Sequence, residues 1–367
     1  MKIGLITLGG TIASTKNNID IATRYTPTQG AIDLLTNLFK KYPSLINKIF
    51  KHPIKELGLS NIDINNDKEI HDLINKLFII KEVFCKNSKD YLLKDIFKVE
   101  NKLYELNIQH KTNFNIILSG TDNLESLGMG LHLSKRLSNF LSIITGAMHT
   151  SDSENADGFS NIYNALLFSK AAYNKNLQGT YLSFNQQFNN IYEIKKKHTR
   201  SVDAFNIKKP LATINNKEII KFNTKPEMEF TKFEFPQDTN GLTKICPIKS
   251  QVCIPDFIIN SIKEHISKFK VLIIEGTGNG EYHQSLNTIV KQVLKDGKTV
   301  IRTSICDGDV DYIAGERTLA SCGLSTEKII VLAAISLAKV NNPIIKSKMG
   351  LQNVINEYAE LAIESLI

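Results

Sequence analysis

Short apolar runs alternate along the chain with longer segments in which apolar residues recur every three or four positions. The short runs are typical of buried strands in a parallel sheet, and the longer segments are typical of amphipathic helices. The predicted strands are residues 2–8, 114–120, 140–147, 179–185, 244–249, 270–276 and 299–306, with a hairpin at 210–222. The predicted helices are residues 28–42, 122–138, 158–175, 255–268, 281–297, 325–339 and 349–366. This alternation predicts an α/β fold built on parallel sheets.

Two segments interrupt the alternation. Residues 223–241 are charged, contain prolines and give the weakest pattern, so we place a linker at 227–243. The linker divides the 367 residues into an N-terminal domain, 1–226, and a smaller C-terminal domain, 244–367. Two domains agree with the size of about 250–300 residues at which single cores stop growing. Residues 76–112 show two amphipathic helical patterns, and we expect them to lie outside the core of the sheet.

The composition narrows the class of protein. No run of about 18 apolar residues occurs, so we expect no membrane span. The apolar run at the N-terminus is short and lacks a small-residue cleavage site, so we expect a cytoplasmic protein that begins with its first core strand. The five cysteines show no C-x-x-C spacing, which favours free thiols over a zinc site or a disulfide framework.

The formal net charge of +8 raises the question of a nucleic-acid partner. The basic residues are dispersed, and the densest cluster is the sequence IKKKH at 194–198. There is no tryptophan, and aromatic residues are not interleaved with basic ones as in nucleic-acid-binding grooves. We therefore predict a solvated, lysine-rich surface and no nucleic-acid partner.

Candidate chemistry lies in the loops that follow the predicted strands, because ligands of parallel α/β sheets bind beyond the carboxyl ends of the strands. Hydroxyls, carboxylates and small residues concentrate in four such loops: LGGTIAS (8–14), SGTDNLES (119–126), GAMHTSDSENADG (146–158) and EGTGNGEYH (275–283). Taken alone, the first two loops are more typical of a tight turn followed by a helix cap. The GTGNG sequence lacks the third glycine of a dinucleotide fingerprint, since Glu281 occupies that position. No G-x-S-x-G elbow is present.

Taken together, these motifs resemble those of the bacterial-type L-asparaginase family. The resemblance rests on GGTIA, Tyr25, GTD, the GAM…ADG…NIYNA series, a lysine near 196 and GTGNG, and it extends from Met1 to about Ala338. It implies hydrolysis of the side-chain amide of asparagine, and sometimes of glutamine, without a metal or organic cofactor. It also implies a mixed, mostly parallel sheet in the larger domain and a flavodoxin-like parallel sheet in the smaller one.

The resemblance assigns roles residue by residue. The catalytic group consists of the nucleophile Thr11, the neighbouring Tyr25, the GTD pair Thr121 and Asp122, and Lys196, whose register is set by the Ala204–Phe205 pair. The substrate-binding residues are Ser60, Asn61, Ala147, Asn279 and Asp309. The chemistry suits these residue types, because a threonine hydroxyl attacks an amide only when a neighbouring base accepts its proton, and a lysine can be that base.

The assignment of Ser60 and Asn61 depends on the sequence LGLSNID at 57–63, which resembles the family loop that binds the substrate α-carboxylate. About 60 residues separate Ser60 from Thr121, roughly twice the spacing usual in the family. We attribute the difference to an insertion at 76–112. Asn279 matches an asparagine that family members contribute to the site of a neighbouring subunit, so the resemblance implies a homodimer or homotetramer.

The chain departs from the family at several positions near these residues. Leu8 replaces the usual threonine before GGT, Ser119 replaces the usual histidine before GTD, and Tyr192 replaces an arginine before the lysine. Such changes leave several functions open. The chain could be an asparaginase, an amidohydrolase acting on glutamine, asparagine-containing peptides or another amide, or an inactive amino-acid-binding relative. A further alternative is the related subunit that supplies ammonia to tRNA-bound glutamate, which usually carries an N-terminal extension.

Overall fold

A computed structural model describes residues 1–10, 12, 14–16, 25–27, 30–56, 62–215, 220–223, 231–235, 244–311, 318–338 and 351–356. These residues belong to two compact units, Met1–Pro226 and Glu227–Ile367. Each unit is built from alternating strands and helices, so the α/β class predicted from the sequence is confirmed.

The first unit contains an eight-stranded sheet within the described residues. Its strands are β1 (Ile3–Thr7), β4 (Phe78–Glu82), β5 (Phe114–Leu118), β6 (Leu141–Thr145), β7 (Gly179–Phe184), β8 (Gln187–Asn190), β9 (Ala212–Ile214) and β10 (Ile220–Phe222). The spatial order is β10-β9-β8-β7-β6-β5-β1-β4. The pairs from β4 through β7 are parallel, and those from β7 through β10 are antiparallel. The sheet is therefore mixed, as expected.

Helices cover both faces of this sheet. They are α1 (Ala31–Lys41), α2 (Ser44–Glu56), α3 (Asp67–Leu77), α4 (Leu93–Gln109), α5 (Leu124–Leu133) and α6 (Gly158–Asn174). Residues of α1, α2, α3 and α6 form one buried cluster with Ile3 and Leu5 of β1. Ile6 is also buried, and because side chains alternate along a strand it faces the opposite side, where α4 packs against β1 and α5. A short ribbon of β2 (Ser14–Lys16) and β3 (Tyr25–Pro27) is separate from the sheet.

One prediction about the first unit was wrong. Residues 76–112 were expected to form two amphipathic helices outside the sheet, but β4 pairs in parallel with β1 over its whole length. Helix α3 ends at Leu77 and β4 begins at the next residue, Phe78. No glycine or proline separates the helix from the strand. Ile79 and Ile80 are only partly buried, as is common at a sheet edge. The second predicted helix is present as α4.

The second unit contains a four-stranded, all-parallel sheet within the described residues. Its strands, in spatial order, are β11 (Ile245–Lys249), β12 (Val271–Gly276), β13 (Thr299–Ser304) and β14 (Leu319–Ala320). Its helices are α7 (Asp256–Glu264), α8 (Asn287–Lys295) and α9 (Thr326–Ala338), and residues 351–356 are also helical. A buried apolar cluster joins α7 and α8 to β12 and β13. Of the helices in the described ranges, none is long and apolar enough to cross a membrane.

Candidate active site

The carboxyl ends of four neighbouring strands lie side by side in the first unit. Thr7, the last residue of β1, is paired with Glu82 of β4 and with Leu118 of β5. Leu118 is in turn paired with Thr145, the last residue of β6. The loops that begin at residues 8, 83, 119 and 146 therefore leave the sheet at the same edge. Two of them carry the GGT and GTD motifs.

The GGT and GTD loops approach so closely that both need glycine. The Leu8 amide donates to the Leu118 carbonyl oxygen at 3.0 Å, which holds the first loop against β5. A Cβ atom on Gly10 would lie 2.4 Å from the Gly120 nitrogen. One on Gly9 would lie 2.9 Å from the Lys86 nitrogen, in the loop after β4. Gly9 and Gly10 both have positive φ, +82° and +87°, which only glycine adopts without strain.

Thr121, Asp122 and Lys196 are brought together although the lysine lies far from the other two in the sequence. The Lys196 Nζ donates to Thr121 Oγ1 at 2.9 Å and to Asp122 Oδ1 at 2.7 Å. Thr121 is buried, whereas the Asp122 side chain is 58% exposed and so is open to a ligand from solvent. Because Thr121 Oγ1 accepts from the ammonium, its own proton can be donated to another group.

A buried carboxylate anchors the segment that carries Lys196. Glu125, in the first turn of α5, accepts a hydrogen bond from the Lys196 backbone nitrogen at 2.7 Å. The same short stretch of chain, from Thr121 to Glu125, thus holds both the main chain and the side chain of this lysine. Ala204 accepts from the Lys197 amide at 2.8 Å, which places the Ala204–Phe205 pair beside the lysine run.

Ala147 lies in the neighbouring loop, which Asp157 organises. Ala147 is fully buried, and the Asp157 carboxylate accepts from the backbone nitrogens of Met148 at 3.0 Å and His149 at 2.9 Å. Gly146 is close to the GTD loop, since a Cβ there would lie 2.5 Å from the Ser119 carbonyl oxygen. The three loops after β1, β5 and β6 thus form one continuous surface at the sheet edge.

Four of the predicted residues cannot be placed in this arrangement. Thr11, Ser60 and Asn61 lie outside the described residues. For Tyr25 the description extends to the backbone, which belongs to β3.

Ser88 is a candidate that the sequence reasoning missed. It is buried in the loop after β4, and its Oγ accepts a hydrogen bond from the Asp122 backbone nitrogen at 3.0 Å. The loops are packed so tightly here that a Cβ on Gly120 would lie 2.5 Å from Ser88 Oγ. Ser88 precedes Asp122 by 34 residues, about half the separation between Ser60 and the GTD pair. That spacing was the available signal.

The second unit, taken by itself, presents Asn279 and Asp309 on two adjoining loops. The Asn279 side chain donates to Asp311 Oδ2 at 3.0 Å and accepts from the Asp311 amide at 2.7 Å. The buried Arg302 donates to the carbonyl oxygens of Asn279 at 3.1 Å and Asp311 at 2.9 Å. These two hydrogen bonds of Arg302 therefore fix the relative position of the two loops. Burial, followed by the nearby Asp311 carboxylate, raises the pKa of Asp309.

No group of histidine, cysteine, aspartate and glutamate side chains suited to a metal ion occurs within the described ranges. The reactive groups assembled at the sheet edge are instead a lysine, a threonine and carboxylates. Together with the mixed sheet, they define a hydrolytic enzyme of the α/β class.

Comparison with known proteins identifies the family. The model of the asparaginase N-terminal domain matches residues 2–228. The chain is 23% identical to L-asparaginase 2 of Bacillus subtilis (strain 168) over 363 residues, which cover 97% of this chain and 86% of the relative. It is 25% identical over 201 residues to a subunit of the glutamyl-tRNA(Gln) amidotransferase of Methanobrevibacter smithii, covering 52% of this chain and 44% of that one.

The fold agrees with these matches. The crystal structure of a probable cytoplasmic L-asparaginase from Campylobacter jejuni is similar with a TM-score of 0.72, over 96% of this chain and 98% of that chain, at 21% identity. The chain belongs to the asparaginase family. It is an amidohydrolase, and the reaction that its family supports is the hydrolysis of asparagine.

Proposed function

We propose that the chain hydrolyses L-asparagine to L-aspartate and ammonia through an acyl-enzyme at Thr11. The hydroxyl oxygen of Thr11 attacks the side-chain amide carbon, and its proton passes to a base. The tetrahedral intermediate then breaks its C–N bond, and the leaving nitrogen takes up a proton and departs as ammonia. Water attacks the resulting ester, which releases aspartate and restores the hydroxyl. The observation that carries this proposal is the contact of Lys196 with both Thr121 and Asp122.

Lys196 and Thr121 form the proton-transfer group in this proposal. In its neutral form the lysine accepts a proton that arrives through the Thr121 hydroxyl, which lies 2.9 Å away. Glu125 keeps the main chain of Lys196 in place, so the side chain needs little rearrangement between steps. Tyr25 acts beside the nucleophile, as the family resemblance implies.

The substrate is held by its charged ends and by the polarised amide. Asp122, largely exposed, receives the α-ammonium group. We propose that Ser88 fills the role expected for Ser60, because its hydroxyl accepts from the Asp122 amide and retains a proton for the α-carboxylate. We propose that the backbone amides near Thr121 and the Ala147 loop, which Asp157 organises, donate to the developing oxyanion.

Ammonia release from purified protein is the direct test, screened over asparagine, glutamine and short asparagine-containing peptides. We expect asparagine turnover. Thr11→Ala should abolish it, and Lys196→Met should lower kcat by a factor of about 10² to 10⁴. Lys197→Met is the matched control, because Lys197 is the exposed neighbour of Lys196 and should retain activity. Tight binding of aspartate without any ammonia release would indicate an inactive relative. Equal losses from the two lysine variants would show that the register is wrong.

The acyl-enzyme has its own test. Hydroxylamine added during turnover competes with water for the ester and converts part of the product into aspartyl hydroxamate. The hydroxamate fraction should rise with hydroxylamine concentration, and Thr11→Ala should abolish it together with ammonia release. Turnover without hydroxamate would argue for direct attack by water.

We further propose a cytoplasmic homodimer or homotetramer in which Asn279 and Asp309 complete the site of a neighbouring subunit. Light scattering on the purified protein measures the number of subunits in the assembly. Cell fractionation determines where in the cell the protein lies. Mixing Thr11→Ala with Asn279→Ala after subunit exchange gives a sharper result. If sites are shared, some mixed sites contain neither substitution, and activity reappears although each variant alone is inactive. No recovery despite verified exchange would place both residues in one subunit's site.

The similarity to an amidotransferase subunit motivates a second candidate function, the supply of ammonia to tRNA-bound glutamate. In that case free asparagine would be turned over slowly. Ammonia would be released only with charged tRNA and a kinase-like partner subunit that co-purifies. Full activity of the isolated chain on free asparagine would exclude this function.

A further inference from the structure

Tyr91 is a partly buried tyrosine at the junction of the GGT and GTD loops, and none of the roles above includes it. It lies in the loop after β4, three residues beyond Ser88. Its hydroxyl is 3.3 Å from Ser119 Oγ and donates to the Leu8 carbonyl oxygen at 3.4 Å. Leu8 precedes the two glycines that lead to Thr11, and Ser119 precedes Gly120 and Thr121. One phenol group therefore contacts the segments that lead to both threonines.

The ring is held firmly in this position. It packs edge-to-face against Phe84 with ring centroids 5.3 Å apart. The Tyr91 amide donates to the Ser88 carbonyl oxygen at 3.1 Å, and Ser88 in turn accepts from the Asp122 amide. The Lys86 amide donates to the Leu8 carbonyl oxygen at 3.4 Å, so a second residue of this loop reaches the same atom. The phenol is thus a fixed part of the packing between three loops.

The hydroxyl remains protonated throughout the working range of an amidohydrolase. Burial is the main cause, and it raises the pKa of Tyr91 to about 12. A neutral phenol has one proton to donate and can also accept a hydrogen bond. Ser119 Oγ donates its own proton to the Gly120 carbonyl oxygen at 3.0 Å. The phenol proton is therefore shared between Ser119 Oγ and the Leu8 carbonyl oxygen, and the Tyr91 hydroxyl links the two strand-end loops.

Tyr91 contacts two residues at which the chain departs from the family pattern. Leu8 and Ser119 are the two positions at which the chain departs from the threonine and histidine usual in the family. Both are fully buried. Leu8 offers no side-chain hydrogen bond, and serine is much smaller than histidine. Tyr91 contributes a ring and a hydroxyl in the space between these two positions.

We propose that Tyr91 is a positioning residue that sets the separation of the Thr11 and Thr121 loops through its hydroxyl. The proposal rests on the proposed function, since it concerns the alignment of the two threonines during attack on the amide. Small errors in such alignment lower the rate of the chemical step more than they lower binding. In this proposal Tyr91 acts through the two loops rather than on the substrate, so its removal should reduce kcat and leave substrate binding nearly unchanged.

The test compares Tyr91→Phe with Tyr181→Phe. The first substitution removes the hydroxyl and keeps the ring that packs on Phe84. The second removes a hydroxyl that donates to the Gln178 carbonyl oxygen at 2.8 Å in an exposed position. This bond lies at the amino end of β7, away from the strand-end loops. We expect Tyr91→Phe to lower kcat about five- to thirtyfold, with KM and the Kd for aspartate within about twofold of the unsubstituted chain. The control should keep both constants.

A double-mutant cycle with Ser119→Ala separates positioning from general loss of stability. If the two hydroxyls act as one connected unit, the double variant should lose no more than the larger single effect. Multiplicative losses, an unchanged kcat in Tyr91→Phe, or an effect confined to KM would each overturn the proposal. If the unsubstituted chain releases no ammonia from any amide, the proposed function itself has failed, which is a distinct result.

Discussion

Replacing Gly10 by alanine tests whether the close approach of the GGT and GTD loops is required for activity. Gly10 has φ +87°, and its added Cβ would lie 2.4 Å from the Gly120 nitrogen and 2.5 Å from the Gly120 Cα. Gly179→Ala is a matched control in the same unit. It also has positive φ, +102°, but the nearest atom to its Cβ is His132 Nδ1 at 3.9 Å, an ordinary contact. Both substitutions therefore place an alanine at positive φ, and only Gly10→Ala also creates a steric clash.

The size of the effect follows from these distances. A left-handed backbone costs a residue with a Cβ about 1–2 kcal/mol, and this applies to both variants. To relieve a 2.4 Å contact, the Gly10 and Gly120 segments must separate by about 1 Å, since ordinary carbon contacts begin near 3.4 Å. Such overpacking costs about 1–3 kcal/mol more. A displacement of about 1 Å between reacting groups can lower a rate by a factor of about 10².

Urea unfolding followed by far-ultraviolet circular dichroism gives the free energy of unfolding, and ammonia release under native conditions gives kcat. We expect Gly10→Ala to be about 1–3 kcal/mol less stable than Gly179→Ala and to lose about a hundredfold in kcat while still folded. Gly179→Ala should retain most of its kcat. If Gly10→Ala matched the control in both stability and kcat, the loop contact would be irrelevant to the chemistry and this reasoning would be refuted.

Three further predictions concern groups around the site and in the second unit. Glu125→Gln keeps an oxygen that can accept from the Lys196 amide, whereas Glu125→Ala removes it. In an ammonia-release assay, kcat should therefore fall about tenfold or more in the alanine variant and clearly less in the glutamine variant. Asp157→Ala leaves the backbone amides of Met148 and His149 without their acceptor, so urea unfolding should show a loss of about 2–4 kcal/mol, and a loss below about 0.5 kcal/mol would contradict this account. Burial, then the nearby Asp309, raises the pKa of the Cys322 thiol to about 11. Because only the thiolate reacts, labelling of the native protein with a thiol reagent at pH of about 8 should be slow at Cys322 and should accelerate as the pH approaches the raised pKa. Loss of the slow phase in Cys322→Ser would identify it.

Most of the fold could be predicted because its central strands are short, mainly apolar runs that end at glycine or polar residues. Strands β5 and β6 are buried along their whole length, and only Asn115, Ser142 and Thr145 in them are polar. Strand β4 was missed for the opposite reason. It follows α3 without a breaking residue, and at the sheet edge four of its five side chains are partly buried or exposed. A partly polar edge strand and an amphipathic helix resemble each other over five residues.

The candidate site could be predicted only where its residues lie in strand-end loops or in a recognisable family motif. Thr121 and Asp122 follow a central strand directly. Lys196 lies 75 residues beyond Thr121, and its place came from the family resemblance alone. Ser88 belongs to no local motif, because its position beside Asp122 depends on β4 pairing with β1. Without β4, only the family spacing to the GTD pair could have indicated Ser88 in the sequence.

The two departures from the family nearest the nucleophile and the GTD pair have a different meaning once Tyr91 is considered. In the sequence, Leu8 and Ser119 are unrelated substitutions more than a hundred residues apart. In the fold they flank one phenol group, which reaches the main chain of one and the side chain of the other. A change at either position alters the space and the hydrogen bonds available to Tyr91, so the three residues pack as one unit. Restoring the family residue at Leu8 or Ser119 alone should therefore impair the enzyme, because the restored side chain would compete with Tyr91 for a position already filled.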